Sequence, residues 1–169
     1  TDGMFFQVNY ETALEIVNQI RIIINDIKRN SNEEIDTLYD LCSGVGFYSI
    51  MLSSMFKEII SVERLDVNMG ISVRNVRCNG ISGVSMIVGS VLCGVYEGGI
   101  KLMNPCRGGI VGGVCNLSGE IIYVSCNPLT LKRDLNALNI TKHQIKSIIP
   151  INQFPNTNHL EVIVHIQIP

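Results

Sequence analysis

Residues 37–50 read TLYDLCSGVGFYSI, and the fold turns on how they divide. TLYDLC is a short aliphatic and aromatic run that reads as a strand. Gly44-Val45-Gly46 follows at once, and FYSI opens a helix. Glycines at such a turn let the backbone approach a ligand closely, and the helix N-terminus offers it N–H groups. A nucleotide-like ligand is therefore expected. A dinucleotide fingerprint needs a third glycine where Ser49 stands, which disfavours a pyrophosphate-hugging site. The next strand, EIISVE, ends on Glu63 about 20 residues past the glycines, where a carboxylate accepts hydrogen bonds from ribose hydroxyls. A tight turn followed by a surface glutamate is the plainer reading of the same residues.

Upstream, residues 9–29 repeat apolar side chains at Ala13, Ile16, Val17, Ile20, Ile24 and Ile27, the stripe of an amphipathic helix. Downstream, the runs EIISVE, VSMIVG, IKLMN and EIIYVSC are separated by segments long enough for crossovers. That alternation predicts an α/β fold with a mostly parallel sheet covered on both faces. The tail differs. QIKSIIPI and HLEVIVHIQI are joined by the loop NQFPNTN with no room for a helix, so they should pair antiparallel at the edge of the sheet.

The 169 residues suit one domain, and 46% hydrophobic content supplies its core. No apolar run spans a bilayer, no secretory signal is visible, and Thr1 in place of methionine suggests a fragment. No membrane and an intracellular location are expected. Cysteines 42, 78, 93, 106, 115 and 126 include no C-x-x-C pair and no histidine at ligand spacing, which predicts reduced thiols and no metal. A net charge of −2 leaves no global basic footprint for nucleic acid.

In YVSCNPLTLKRDL, residues 123–135, Cys126 closes a strand on the rim where parallel sheets bind ligands, and Asn127-Pro128 fits an N-cap followed by proline at the first helical position. The helix N-terminus beside the thiol favours thiolate, so Cys126 reads as a candidate nucleophile. A small buried core cysteine is the competing reading. An antiparallel last strand would start on the same rim and bring His159 and Glu161 toward Cys126. By alternation Leu160, Val162, Val164 and Ile166 share one face and Glu161 the other, with Ile163 and His165. A solvated carboxylate on an edge strand is the alternative for Glu161.

The segments FFQVNYETA, YDLCSGVGFYSI, SVE, IIYVSCNPLTLKRDL and FPNTNHLE together resemble the RNA 5-methyluridine methyltransferases, which methylate uracil C5 in RNA with S-adenosylmethionine (SAM). The resemblance implies a Rossmann-like SAM methyltransferase fold with an antiparallel last strand and an N-terminal helix. It implies a single catalytic domain over residues 1–169, without the N-terminal RNA-binding portions of such enzymes. Cys126 would be the nucleophile, Glu161 the general base, and Gln7, Cys42, Gly44, Gly46, Phe47, Glu63 and Asn104 the SAM pocket. The partner would be RNA, tRNA first. Arg133 and Asp134 would support the fold of their helix, and Lys132 is either a phosphate contact or a solvated charge.

The middle of the chain departs from that pattern. Asn104-Pro-Cys-Arg stands where the family has Asp-Pro-Pro-Arg, Ser90 where an acidic residue faces adenine, and Cys42 and Phe47 where larger or polar residues are common. The 16 residues between Asn104 and Ile121 include five glycines, a poor helix. A degenerate, non-catalytic relative is thus a second reading. A SAM enzyme acting on DNA cytosine or a small molecule is a third, disfavoured by the surroundings of VSCNP.

Overall fold

A computed structural model describes residues 9–91, 94, 96–105, 117–152 and 160–169. The elements run α1 (Tyr10–Asn30), β1 (Thr37–Leu41), α2 (Phe47–Met51), a 3-10 turn (Ser53–Met55), β2 (Glu58–Glu63), α3 (Asp66–Cys78), β3 (Val84–Val88), β4 (Ile100–Met103), β5 (Gly119–Ser125), α4 (Pro128–Ala137), β6 (Ile145–Ile151) and β7 (Glu161–Ile168). One sheet holds the strands in the order β3-β2-β1-β4-β5-β7-β6. Neighbours from β3 to β5 are parallel, and β7 is antiparallel to both β5 and β6. The α/β, mostly parallel expectation holds. The glycine-rich stretch 106–116 that links β4 to β5 lies outside the described residues.

Each face of the sheet carries its own apolar core, because alternate side chains of a strand point to opposite faces. On one face the α1 stripe is buried as predicted, with Ile23 added to it, against Leu38, Ile59, Ile100, Ile122, Val124 and Ile163. Burying one such isoleucine contributes about 1.5–3 kcal/mol. On the other face Leu41, Tyr123, Leu131, Val162, Val164 and Ile166 pack together. The predicted alternation of β7 is therefore observed, with Ile163 on the α1 side.

Asn9 caps α1 by accepting the Thr12 N–H at 3.2 Å. Two cations then tie α1 to the segment after the glycine loop. Arg21 donates to the carbonyl of Met51, the last residue of α2, at 2.6 Å. Lys28 donates to the carbonyl of Met55, which ends the 3-10 turn, at 2.5 Å. Positive charge at carbonyl-rich helical ends is favourable. At the opposite end of the sheet from the glycine loop, buried Lys101 donates to the carbonyls of Gly98 at 2.6 Å and Ser118 at 2.8 Å, joining the turns that precede β4 and β5.

The last two strands pair antiparallel at the sheet edge as expected, and their order excludes one alternative. β6 is the outer strand and β7 lies between it and β5, so Glu161 is not on an edge strand. It is 2% exposed, and the solvated-carboxylate alternative is overturned.

Candidate active site

Strand order reverses between β1 and β4, since β2 and β3 continue to one side and β5 to the other. In open α/β sheets the crevice outside the carboxyl ends at that reversal is where ligands bind. The glycine loop leaves β1 and Asn104 leaves β4, so both stand at the switch point. The half-buried Asn104 donates its N–H to the Leu41 carbonyl at 3.4 Å.

The loop turns through left-handed backbone at Cys42 (φ 68), Gly44 (φ 56) and Gly46 (φ 83). Glu63 holds it from β2. One carboxylate oxygen accepts the Gly44 N–H at 3.0 Å and the other accepts the Leu65 N–H at 2.8 Å. At 8% exposed, Glu63 is not a surface glutamate. Each oxygen retains a lone pair for a hydroxyl donor.

The two glycines serve different needs. A Cβ on Gly44 would meet nothing within 4 Å among the described residues, so they leave that side of the loop open to a ligand. A Cβ on Gly46 would collide with Ser72 Oγ of α3. Gly46→Ala is therefore expected to cost about 2–4 kcal/mol from overpacking and left-handed strain. Gly44→Ala should cost about 1–2 kcal/mol from strain alone. Urea unfolding of the two variants measures the difference.

Asp40 is a part of the site that the sequence reading missed. It is fully buried on β1, and its Oδ2 accepts the Ser49 N–H at 2.9 Å and the Ser49 hydroxyl at 2.6 Å. That bond caps α2, because Gly46 at its N-cap has no side chain to do so. Burial pushes the Asp40 carboxyl up to about 6, and Oδ1 has no hydrogen-bond partner among the described residues. The available signal was an aspartate inside an otherwise apolar strand, TLYDL. Phe47, expected in the pocket, packs partly against the α1 core and edge-on to Tyr48 at 5.1 Å. Gln7 and His159 lie outside the described residues.

The other half of the site is the β5–α4 elbow. Asn127 caps α4 as predicted, its Oδ1 accepting the N–H groups of Leu129 at 2.9 Å and Thr130 at 3.3 Å, with Pro128 in the first turn. Ser125 Oγ locks the turn by donating to the Asn127 carbonyl at 3.0 Å and accepting its N–H at 3.2 Å. Cys126 between them is exposed, so it is not a buried core cysteine. Cys42, Cys78 and Cys126 are all reduced.

The register of β5 with β7 sets what faces the thiol. Ser125 pairs with Val162 as the last rung of that ladder, so Cys126 and Glu161 occupy the adjoining positions just beyond it, at the same end of the sheet. Burial pushes the Glu161 carboxyl up from 4.5 to about 7, and its Oε2 has no hydrogen-bond partner among the described residues. A carboxyl poised near neutrality beside a thiol on a ligand-binding rim is suited to moving a proton. Beneath the elbow, buried Tyr123 donates to Asp134 and Arg133 pairs with the same carboxylate, so Arg133 and Asp134 brace the helix as expected. Lys132 is exposed on the following turn of α4.

Among the described residues no group of His, Cys, Asp and Glu could hold a metal ion, and no helix is long and apolar enough to cross a membrane.

Residues 89–168 match the family model for tRNA (uracil-5-)-methyltransferase. An uncharacterized RNA methyltransferase of Clostridium acetobutylicum is 28% identical over 96% of this chain and 36% of its own length. Another, from Leptospira interrogans, is 31% identical over 93% of the chain and 40% of its own length. The chain thus spans well under half the length of the curated relatives it matches. The crystal structure of Pyrococcus abyssi tRNA (uracil-54, C5)-methyltransferase in complex with S-adenosyl-L-homocysteine superposes with a TM-score of 0.80 at 26% identity, covering 97% of this chain and 40% of that one. A putative RNA methyltransferase from Pyrococcus horikoshii shares the fold, with a TM-score of 0.65 at 14% identity over 98% of this chain and 93% of that one.

Proposed function

Taking the chain as a relative of the tRNA (uracil-5-)-methyltransferases, we propose that it is a catalytic domain that methylates uracil C5 in RNA, tRNA first among the candidates. The observation that carries this reading is that β5 and β7 bring Cys126 and Glu161 to adjoining positions at one end of their ladder, on the rim that also carries the glycine loop at the switch point.

The residues at the loop fit SAM. Gly44 leaves space for a ligand, Glu63 offers lone pairs for the ribose hydroxyls, and Asn104 and Cys42 flank the same crevice. When bound, SAM would supply an electrophilic methyl group from its sulfonium, the broken S–CH3 bond leaving S-adenosylhomocysteine. Gln7 and Phe47 are the remaining pocket residues of the proposal.

Uracil C5 is a poor nucleophile until the ring is activated. The Cys126 thiolate adds to C6, forming a C–S bond and an enolate whose C5 is nucleophilic. Once C5 carries the methyl group, Glu161 takes the C5 proton, and the electrons of that C–H bond expel the thiolate from C6. The α4 N-terminus stabilises the thiolate at both ends of this cycle. A paired or stacked uridine must be extruded to reach the rim. With a net charge of −2 the chain carries no overall basic excess to draw phosphate, so uridine selection in this proposal rests on the rim itself.

Release of tritium from tRNA carrying [5-³H]uridine tests the reaction, because C5 methylation replaces that hydrogen. Tritium is expected in the solvent only when SAM is added. SAM-independent background alone, with folded complete protein, would contradict the proposal.

A non-catalytic relative is favoured by Ser90, the glycine-rich middle and, at the switch point itself, the uncharged Asn104. Calorimetric titration with S-adenosylhomocysteine separates the readings. The enzyme reading expects binding by the wild type, strengthened about 3- to 10-fold in Asn104→Asp by a charge-assisted hydrogen bond. Binding only after that substitution would favour the second reading.

A further inference from the structure

Tyr123 lies on β5 three residues before Cys126, and Asp134 lies on α4 eight residues after it. Both side chains are fully buried. The Tyr123 hydroxyl donates to Asp134 Oδ2 at 2.5 Å, and Arg133 donates to Oδ1 through Nε at 3.1 Å and Nη2 at 3.0 Å. A buried hydroxyl and carboxylate cost more than apolar side chains of the same size unless they are fully paired, so such a pair is weak evidence for stability alone. What the bond spans explains it better: the end of β5, Cys126, the Asn127 cap and the first turns of α4 all lie within the loop it closes.

The neighbours of this pair support that reading. Burial foremost, then the hydrogen bond to Asp134, raises the Tyr123 hydroxyl far above its ordinary range, so it remains a donor at any working pH. Cys42 of the glycine loop packs against the same apolar cluster as Tyr123, so loop and elbow share that core.

We propose that Tyr123 and Asp134 are positioning residues that hold the β5–α4 elbow in register with β7, so that Cys126 meets uracil C6 while Glu161 meets C5. This rests on Cys126 being the nucleophile. Misplacing a reacting group by about 1 Å can cost about 100-fold in rate, which a lost brace can do without unfolding the domain.

The test compares wild type, Tyr123→Phe and Ile20→Val in the complete protein. Ile20→Val opens a small cavity in the α1 core and serves as a control for lost stability. Two rates are followed: covalent adduct formation with 5-fluorouracil-substituted tRNA and SAM, and iodoacetamide alkylation of Cys126 against pH, read on its peptide by mass spectrometry. Tyr123→Phe is expected to slow the adduct about 10-fold or more and to move the alkylation midpoint to higher pH, with S-adenosylhomocysteine affinity unchanged. Ile20→Val should lower the unfolding temperature and leave both rates at wild-type values. A Tyr123→Phe protein with wild-type adduct rate and alkylation midpoint would overturn the inference, as would equal slowing in Ile20→Val. A wild type that forms no adduct would instead sink the nucleophile reading, while the alkylation midpoint would still report on the brace.

Discussion

Cys126→Ala is expected to abolish tritium release from [5-³H]uridine tRNA, lowering turnover by roughly 10⁴-fold or more. Without the thiolate, C6 has no covalent partner and C5 stays a weak nucleophile. Cys126 is exposed and lies after the last ladder pair of β5, so its truncation should change stability by less than about 0.5 kcal/mol. S-adenosylhomocysteine affinity should not change, because the glycine loop is built from β1, α2 and Glu63. Full loss of turnover with unchanged fold and ligand binding separates a nucleophile from a structural cysteine. Retained turnover in Cys126→Ala would remove Cys126 from the reaction.

Glu161→Gln should lower turnover about 10²–10⁴-fold, and the covalent RNA–protein adduct should accumulate because the C5 proton is not removed. Wild-type turnover should rise with pH through about 7 as Glu161 ionises, and the residual rate of the variant should lack that step. Stability should move the other way. The folded-state value of Glu161 is raised from 4.5 to about 7 by burial, so its contribution is fully present below about 4.5 and is lost as pH rises to about 7. Asp40, raised from 3.8 to about 6, has the same sign. Glu161→Gln should therefore be more stable than wild type at pH 8, by about 2 kcal/mol, with the gap closing toward pH 4.5. Urea unfolding at the two pH values measures it. An inactive variant that is also less stable at pH 8 would point to a structural role for Glu161.

What could be read from the sequence followed from local period and chain economy. Strand, G-x-G and helix are contiguous in TLYDLCSGVGFYSI, and the tail is too short for a crossover, so parallel sheet, glycine loop and antiparallel last strand were all legible. The same economy put Glu161 on the rim with Cys126. Whether Glu161 faced solvent depended on the order of β6 and β7, which the hairpin alone leaves open, and its burial raises its carboxyl to about 7. Asp40–Ser49 and Tyr123–Asp134 were not legible as pairs, because each joins two elements whose packing no local pattern specifies. The roles of Gly44 and Gly46 looked equal in the sequence and separate only through Ser72 of α3.

The central claim is that Cys126 adds to uracil C6 and Glu161 removes the C5 proton. Incubating the complete protein with SAM and 5-fluorouracil-substituted tRNA tests both halves, since a C5 fluorine cannot leave as a proton. A complex that survives denaturing electrophoresis, depends on SAM, maps to the Cys126 peptide and is absent in Cys126→Ala is the predicted result. Folded protein that binds S-adenosylhomocysteine yet forms no such complex would contradict it.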